Sequence, residues 1–312
     1  MSQITVRTAT LDDAQAITRI HRSNITRWQR LNEQGEVEDV PYEKLSVYER
    51  WLHGGPWMSV ETCAVHLTHL LRGAGIPLVA AIGKRVLGHG EVFHGVEPPP
   101  FGDHLHIAVL YVHAESAGRG LEAALLAHVA ALGRELGCQR VCVSHAGAGE
   151  FYEGEKWRRL ASGQRVEWPA RPGQVFYQAT PHPQDDPAQI RGLMMPLGRF
   201  QNAVQEWVTR WPELWAGVPE LHARRVERLK FTVAGASLFV LYAESPYDPR
   251  RASVYAWMPT LPGGPVLAAI NDRAHKLGFR RLDSYVLDEH LKLLGPEAEP
   301  DGYTQELYSL EL

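Results

Sequence analysis

One order of elements occurs twice in this chain of 312 residues: strand, glycine turn, helix, Leu-Gly, Arg, strand. The stretch "AESAGRGLEAAL" (114–125) aligns without gaps with "PTLPGGPVLAAI" (259–270), and "ELGCQRVCVS" (135–144) aligns with "KLGFRRLDSY" (276–285). The two offsets differ by four residues, so the second helix is expected to be about one turn shorter. A duplicated order of elements implies tandem copies of one fold. The length agrees, since domains commonly span about 100–200 residues.

Periodicity fills in the rest. "QITVRTAT" alternates as a strand, and "LDDAQAITRIHRSN" places Ala16, Ile17 and Ile20 on one helical face behind an acidic first turn. Residues 25–57 carry helical pieces around 42–53, with turn signals at both ends. "MSVETCAVHLTHLLRGAG" reads as a helix that starts at Ser59 and stops at Gly73. Two strands flank a Gly-Lys hairpin in "IPLVAAIGKRVLGHGEVFHG", and "DHLHIAVLYV" is the next strand. Leu121–Leu136 is a helix with Leu121, Leu125, Val129, Leu132 and Leu136 on one stripe and Gly137 past its end. "QRVCVSH" is a strand, and "VFYQAT" (175–180) is read as the last of the first half. The Pro-rich break "PHPQDDP" (181–187) is the expected linker, which gives domains at 1–180 and 188–312. The second half opens with helical text through "PELHARRVERLKF", then strands "ASLFVLYAE" and "ASVYAWMP", then the repeated unit.

Composition narrows the function classes. A net charge of −4, from 32 basic and 36 acidic residues, offers no general attraction for nucleic acid or an anionic membrane. Three cysteines, Cys63, Cys138 and Cys142, are too few for a disulfide framework and suit a reducing cytoplasm. The N-terminal text has no signal-peptide pattern, and no apolar run reaches about 18 residues. The expectation is therefore a cytoplasmic protein without membrane or nucleic-acid partners and with its oligomeric state open.

Chemistry concentrates at the first glycine turn. A strand that runs through Gly118 and Gly120 into a helix aims free backbone N–H groups and the positive end of the helix dipole at one place, an anion site suited to phosphate. The segment resembles the acetyl-CoA-binding motif of the GCN5-related N-acetyltransferase (GNAT) superfamily. There a Q/R-x-x-G-x-G/A loop follows a strand, and the helix carries Leu-Leu and ends at a Gly. Leu125-Leu126 and Gly137 stand at those places here. The resemblance implies that Val112, Ala117, Gly118, Arg119, Gly120, Leu121 and Glu122 line the donor site. Ala117 departs from Q/R and Glu122 from a small residue. A register shifted by two, "ESAGRG", keeps both glycines but loses the Leu-Leu match.

The family's next motif is a strand, Asn-x-x-Ala-x-x-Phe-Tyr, then Gly-Phe. "VSHAGAGEFYEGEKW" supplies His145, Ala148, Phe151, Tyr152 and Trp157 at that spacing, with His145 in place of Asn and Lys156 in place of Gly. By resemblance His145 adds to the donor site, and Tyr152 is the general acid that protonates the departing CoA thiolate. The competing reading is a core tyrosine on an amphipathic helix. Base candidates lie on the central strands: Glu91 in "HGEVFHG", and His104 and His106 in "DHLH", which share a strand face. His89, His94 and Asp103 are near them in sequence. A His-x-His pair also suits a metal, but no third ligand is evident and none is expected. Trp28, Trp51 and Trp57 either wall an acceptor pocket or pack against the second copy.

The second copy reads Pro262, Gly263, Gly264, Pro265 at the turn; Pro265 has no N–H to offer a phosphate, and no Phe-Tyr follows. The expected fold is α/β (α+β): two tandem GNAT-like domains, each a mixed, mostly antiparallel twisted sheet flanked by helices, the C-terminal copy degenerate. The expected activity is acetyl-CoA-dependent N-acetylation of a small-molecule or peptide amine. The alternatives are a non-catalytic acyl-CoA-binding or scaffold protein, and a tandem transferase of the mycothiol synthase type.

Overall fold

Glycine alternates with polar residues along "LGHGEV", and that alternation decides how the first half of the chain is layered. The computed structural model describes residues 3–32, 34–145 and 156–312. It comprises two units, one gathering residues up to Phe93, Ile107–Leu136 and Glu213–His222, the other His94–His106, Gly137–Pro212 and Ala223–Leu312.

In the first unit, β1 (Ile4–Thr8) and α1 (Ala14–Arg22) are followed by a small hairpin, β2 (Gln29–Leu31) and β3 (Val37–Asp39), which sequence patterning did not reveal. Next come α2 (Val47–Trp51), α3 (Val60–His69), β4 (Ile76–Ile82), β5 (Arg85–Val96), which belongs to this unit up to Phe93, β6 (Asp103–Val112), which belongs to it from Ile107, and α4 (Leu121–Glu135). β1 pairs antiparallel with β4 and β4 with β5. Ser59 caps α3 by accepting from the Thr62 amide at 3.2 Å, as its position before the apolar stripe predicts. One face of β5 is nearly bare: a Cβ built on Gly88 would lie 3.3 Å from a Leu125 methyl, so α4 beds directly onto the strand there. The opposite face carries His89 and Glu91, both buried. Over that face α1 and α3 pack with Ala14, Ile17, Cys63 and Leu67 against Val79.

In the second unit the strands are β7 (Arg140–His145), β8 (Arg158–Pro169), β9 (Tyr177–Pro181), β10 (Met194–Leu197), β11 (Val226–Val233), β12 (Ala236–Glu244), β13 (Arg251–Met258), β14 (Arg281–Leu287) and β15 (Glu299–Glu311). Its α-helices among the described residues are α5 (Ala203–Arg210) and α6 (Gly264–Lys276). The row runs β7-β15-β8-β14-β13-β12-β11-β9. All pairs are antiparallel except β13 and β14, which are parallel and joined through α6. The repeat is thus visible as β6-α4-β7 and β13-α6-β14, with helices of 15 and 13 residues.

Four readings of the sequence change. The text from Ala188 to Trp211, read as helical, holds strand β10 at Met194–Leu197, and α5 begins only at Ala203. "PELHARRVERLKF" is a short helical turn, Pro219–His222, followed by strand β11 rather than a continuous helix. Leu229, Phe231 and Val233 are buried while Lys230 and Thr232 are exposed, which is a strand's period. The strand read over 175–180 is β9, and it pairs with β11 at the end of the second row. Strand β15, which sequence reading did not find, lies between β7 and β8. The core holds Val166, Trp168, Phe231, Val240, Ile270 and Phe279. Trp207 and Trp211 stack at 4.0 Å with Trp257 edge-on at 5.2 and 5.7 Å. Each buried indole N–H finds a carbonyl: those of Asp185, His182 and Ala203.

Candidate active site

The glycine turn is open where a ligand would need it open. β6 ends at Val112, whose carbonyl accepts from Asn24 Nδ2 at 3.0 Å, and the Ala114 amide donates to Ser23 Oγ at 2.9 Å. The end of α1 therefore fixes the entry to the turn. Gly118 and Gly120 take φ of +73° and +84°, left-handed conformations that L side chains rarely adopt. A Cβ on Gly118 would meet nothing within 4 Å. The Ala124 amide donates to Gly120 O at 3.0 Å and closes the first helical turn. The amides of Leu121, Glu122 and Ala123 are the ones such a turn leaves without intrahelical acceptors. Leu121 is buried and anchors the helix start, while Ala117, Gly118, Arg119 and Gly120 are exposed. Among the described residues no hydrogen bond or ion pair draws the Glu122 carboxylate into the turn, and Arg119 lies in its exposed part.

Glu91 is the hub of a buried polar cluster in the same unit. Its carboxylate accepts from Trp57 Nε1 at 2.7 Å and contacts His66 Nε2 at 3.0 and 3.1 Å. His89 Nε2 lies 3.4 Å from it, and His89 Nδ1 is 3.0 Å from His21 Nε2. The His21 ring stacks on Trp57 at 5.0 Å and meets the partly exposed Tyr111 ring at 4.7 Å. Burial by itself would raise the Glu91 carboxyl, but the positive field and hydrogen bond of His66, then His89 and the Trp57 N–H, outweigh it and hold the pKa at about 2. Burial pushes His89 down to about 4 despite that carboxylate. Burial, with His89 beside it, also lowers His21 well below the usual range. His21 and His66 escaped sequence reading, although each occupies the apolar stripe of its helix, His21 with Ile17 and Ile20, His66 with Cys63 and Leu67. A histidine at such a position is the available signal.

His104 and His106 lie in the second unit. His104 sits beside a buried ion pair between Glu97 and Arg199, with Nε2 3.7 Å from Glu97 and Nδ1 3.1 Å from Gly102 O. The Arg199 guanidinium lies 3.4 Å over the Phe101 ring. Burial lowers both histidines; Arg199 adds to this for each, while Glu97 opposes it at His104. Both His106 ring nitrogens lack a hydrogen-bond partner among the described residues. Glu91 and the glycine turn are brought into one unit, and the His-x-His pair belongs to the other. Tyr152, Ala148 and Phe151 lie outside the described residues, as does the side chain of His145, whose backbone ends β7.

The matching turn of the second repeat is different. Gly263 caps α6 with φ −78°, and Pro265 occupies its first turn. Neither left-handed glycine is repeated there, and one donor is missing. Of the three tryptophans considered for an acceptor wall, Trp57 serves the Glu91 cluster. Trp51 packs edge-on against Trp215 at 4.4 Å, and Trp28 lies against Tyr42 and His53.

A strand–glycine turn–helix–strand unit occurring twice, once with an open turn, defines a class. Residues 31–154 match the acetyltransferase (GNAT) family model. Solved structures of similar fold include GCN5-related N-acetyltransferases from Anabaena variabilis (TM-score 0.62, 10% identity, 98% of this chain and 72% of that one) and Kribbella flavida (0.59, 13%, 99% and 71%). Eis1 from Mycobacterium abscessus is similar as well (0.57, 12%, 99% and 73%). No curated protein sequence matches the chain. Residues 31–154 thus resemble the acetyltransferase (GNAT) family in sequence, and the chain shares its fold with solved GCN5-related N-acetyltransferases.

Proposed function

We propose that the protein is an acetyl-CoA-dependent N-acetyltransferase that transfers the acetyl group directly to a primary amine, with its chemistry in the first copy. The observation that carries this is the Gly118–Gly120 turn: left-handed, exposed and backed by a free helix N-terminus. Acetyl-CoA is the donor substrate, and its diphosphate would take the first-turn amides. The amine nitrogen attacks the thioester carbonyl, the C–S bond breaks, and the thiolate needs a proton. Tyr152 is assigned to deliver it on its motif alone. The amine's own proton leaves through His21 and His89. Both are neutral at rest, and each can accept at one ring nitrogen while releasing at the other. Glu91 is too acidic to be a resting base; it fixes the imidazoles and stabilises the positive charge in passage. His104 and His106 have no role in this scheme. We propose the copies as 1–180 and 188–312, the second non-catalytic because Pro265 removes a donor.

Titration calorimetry with acetyl-CoA, followed by thiol release with an amine panel, tests the reading. Binding and turnover are expected in wild type, and Gly118→Val should lose binding. An absence of heat at high micromolar acetyl-CoA would end the donor assignment. Heat without turnover on any amine would favour an acyl-CoA-binding protein instead. Tyr152→Phe should lower kcat more than it changes KM.

A further inference from the structure

His94, Asp103 and Cys138 converge on one spot in the second unit. His94 is near the end of β5, Asp103 opens β6, and Cys138 follows Gly137 just before β7. The Gln139 amide donates to Asp103 O at 2.8 Å, which ties the cysteine's neighbour to β6. One ligand atom from each of the three side chains lies within 4.8 Å of the other two. His94 Nε2 and Asp103 Oδ1 are 2.7 Å apart, with each side chain 31% exposed, while Cys138 is 7% exposed.

We propose that these three residues form a binding site for a zinc-type divalent cation, with water in the fourth position. Zinc binds thiolate sulfur at about 2.3 Å and imidazole nitrogen or carboxylate oxygen at about 2.0–2.2 Å, so tetrahedral donors stand roughly 3.3–3.7 Å apart. The present spacing reaches that by small rotations and a slight opening of the His94–Asp103 contact. One thiol, one imidazole and one carboxylate select zinc or cobalt over magnesium or calcium, which prefer all-oxygen shells. The half-exposed His94 and Asp103 leave an entry path and an open coordination position.

A nucleophilic cysteine is the competing use of such a trio, and the geometry disfavours it. Cys138 is buried beside a carboxylate, which repels a thiolate, the reverse of the electropositive surroundings a reactive cysteine needs. Asp103 stands against both the thiol and the imidazole, rather than holding an imidazole against the sulfur. A divalent ion inverts this repulsion, because it draws the thiol's proton off and neutralises the carboxylate at once.

The test uses the full chain, stripped with EDTA and titrated with cobalt(II). The expected result is one ion per chain, with the near-ultraviolet thiolate-to-cobalt charge-transfer band and the intense visible bands of tetrahedral cobalt, all displaced by zinc. Cys138→Ser should abolish the charge-transfer band, while Cys63→Ser/Cys142→Ser keeps it. His94→Gln, at a half-exposed position that folding tolerates, should weaken zinc binding at least about tenfold. No charge-transfer band in wild type, a band that survives Cys138→Ser, or unchanged affinity in His94→Gln overturns the proposal. If Cys138→Ser does not fold, the His94→Gln affinity decides.

Discussion

His89 sits buried and neutral between His21 and Glu91, and that makes acid stability a residue-scale question. Its pKa is about 4 in the folded chain against an ordinary 6.5, so between those values the unfolded chain binds a proton that the folded one does not. Stability is therefore lost as pH falls from 6.5 toward 4, at about 1.4 kcal/mol per pH unit for each such proton. His21, His104 and His106 are lowered too and act with the same sign. Glu91, held at about 2, adds its own loss only as pH drops through 4.5 toward 2. Denaturant unfolding between pH 6.5 and 4.5 should show a steep slope, and His89→Gln should make it shallower by about one proton; an unchanged slope would contradict a neutral buried His89. Catalysis offers a second check. Glu91→Gln should reduce kcat about 100-fold with little change in KM for acetyl-CoA, because the relay loses its counter-charge while the donor turn is untouched. Glu91 was legible as a strand carboxylate beside histidines. Its partners His21 and His66 were not, since they come from two helices distant in sequence and only packing brings them to one carboxylate.

At the scale of elements, β5 divides its labour between faces, and a single methyl can upset it. The Gly88 Cβ position is already 3.0 Å from Ala80 Cβ and 3.3 Å from Leu125. Gly88→Val should overpack the α4 contact and cost about 1–3 kcal/mol, read as a lower denaturation midpoint. Trp207→Ala should cost about 3–5 kcal/mol by emptying the stacked Trp207–Trp211–Trp257 cluster. Most elements could be read from periodicity because their apolar residues recur on one face: α1, α3, α4, β4, β6 and the whole second repeat. β8 could not, because Gly163 and three arginines interrupt its alternation. Gly163 is required there, since a Cβ would stand 2.9 Å from Val286 O on the neighbouring strand. β15 begins "EPDGY", which reads as a turn, and only partnership with β7 and β8 on both sides makes it a strand.

For the whole molecule, the repeat identified the architecture but not how the row of strands closes. β15 pairs with β7 from Arg140 to His145 on one side and with β8 on the other. Removing residues 299–311 should leave two unpaired edges and give aggregation rather than a shortened soluble protein, checked by size-exclusion chromatography. A piece ending at residue 180 should behave the same way, for the same lack of a partner; a monodisperse, acetyl-CoA-binding 1–180 fragment would show that the edges tolerate exposure. The inserted strand also has a consequence in time. A ribosome adding about 5–20 residues per second delivers Glu299 on the order of ten seconds after His145, and until then β7 and β8 wait with bare amides and carbonyls on facing sides. The nascent chain is most vulnerable to sticking to its neighbours in that interval, so yield in the cell should depend on chaperone supply more than the stability of the finished protein would suggest.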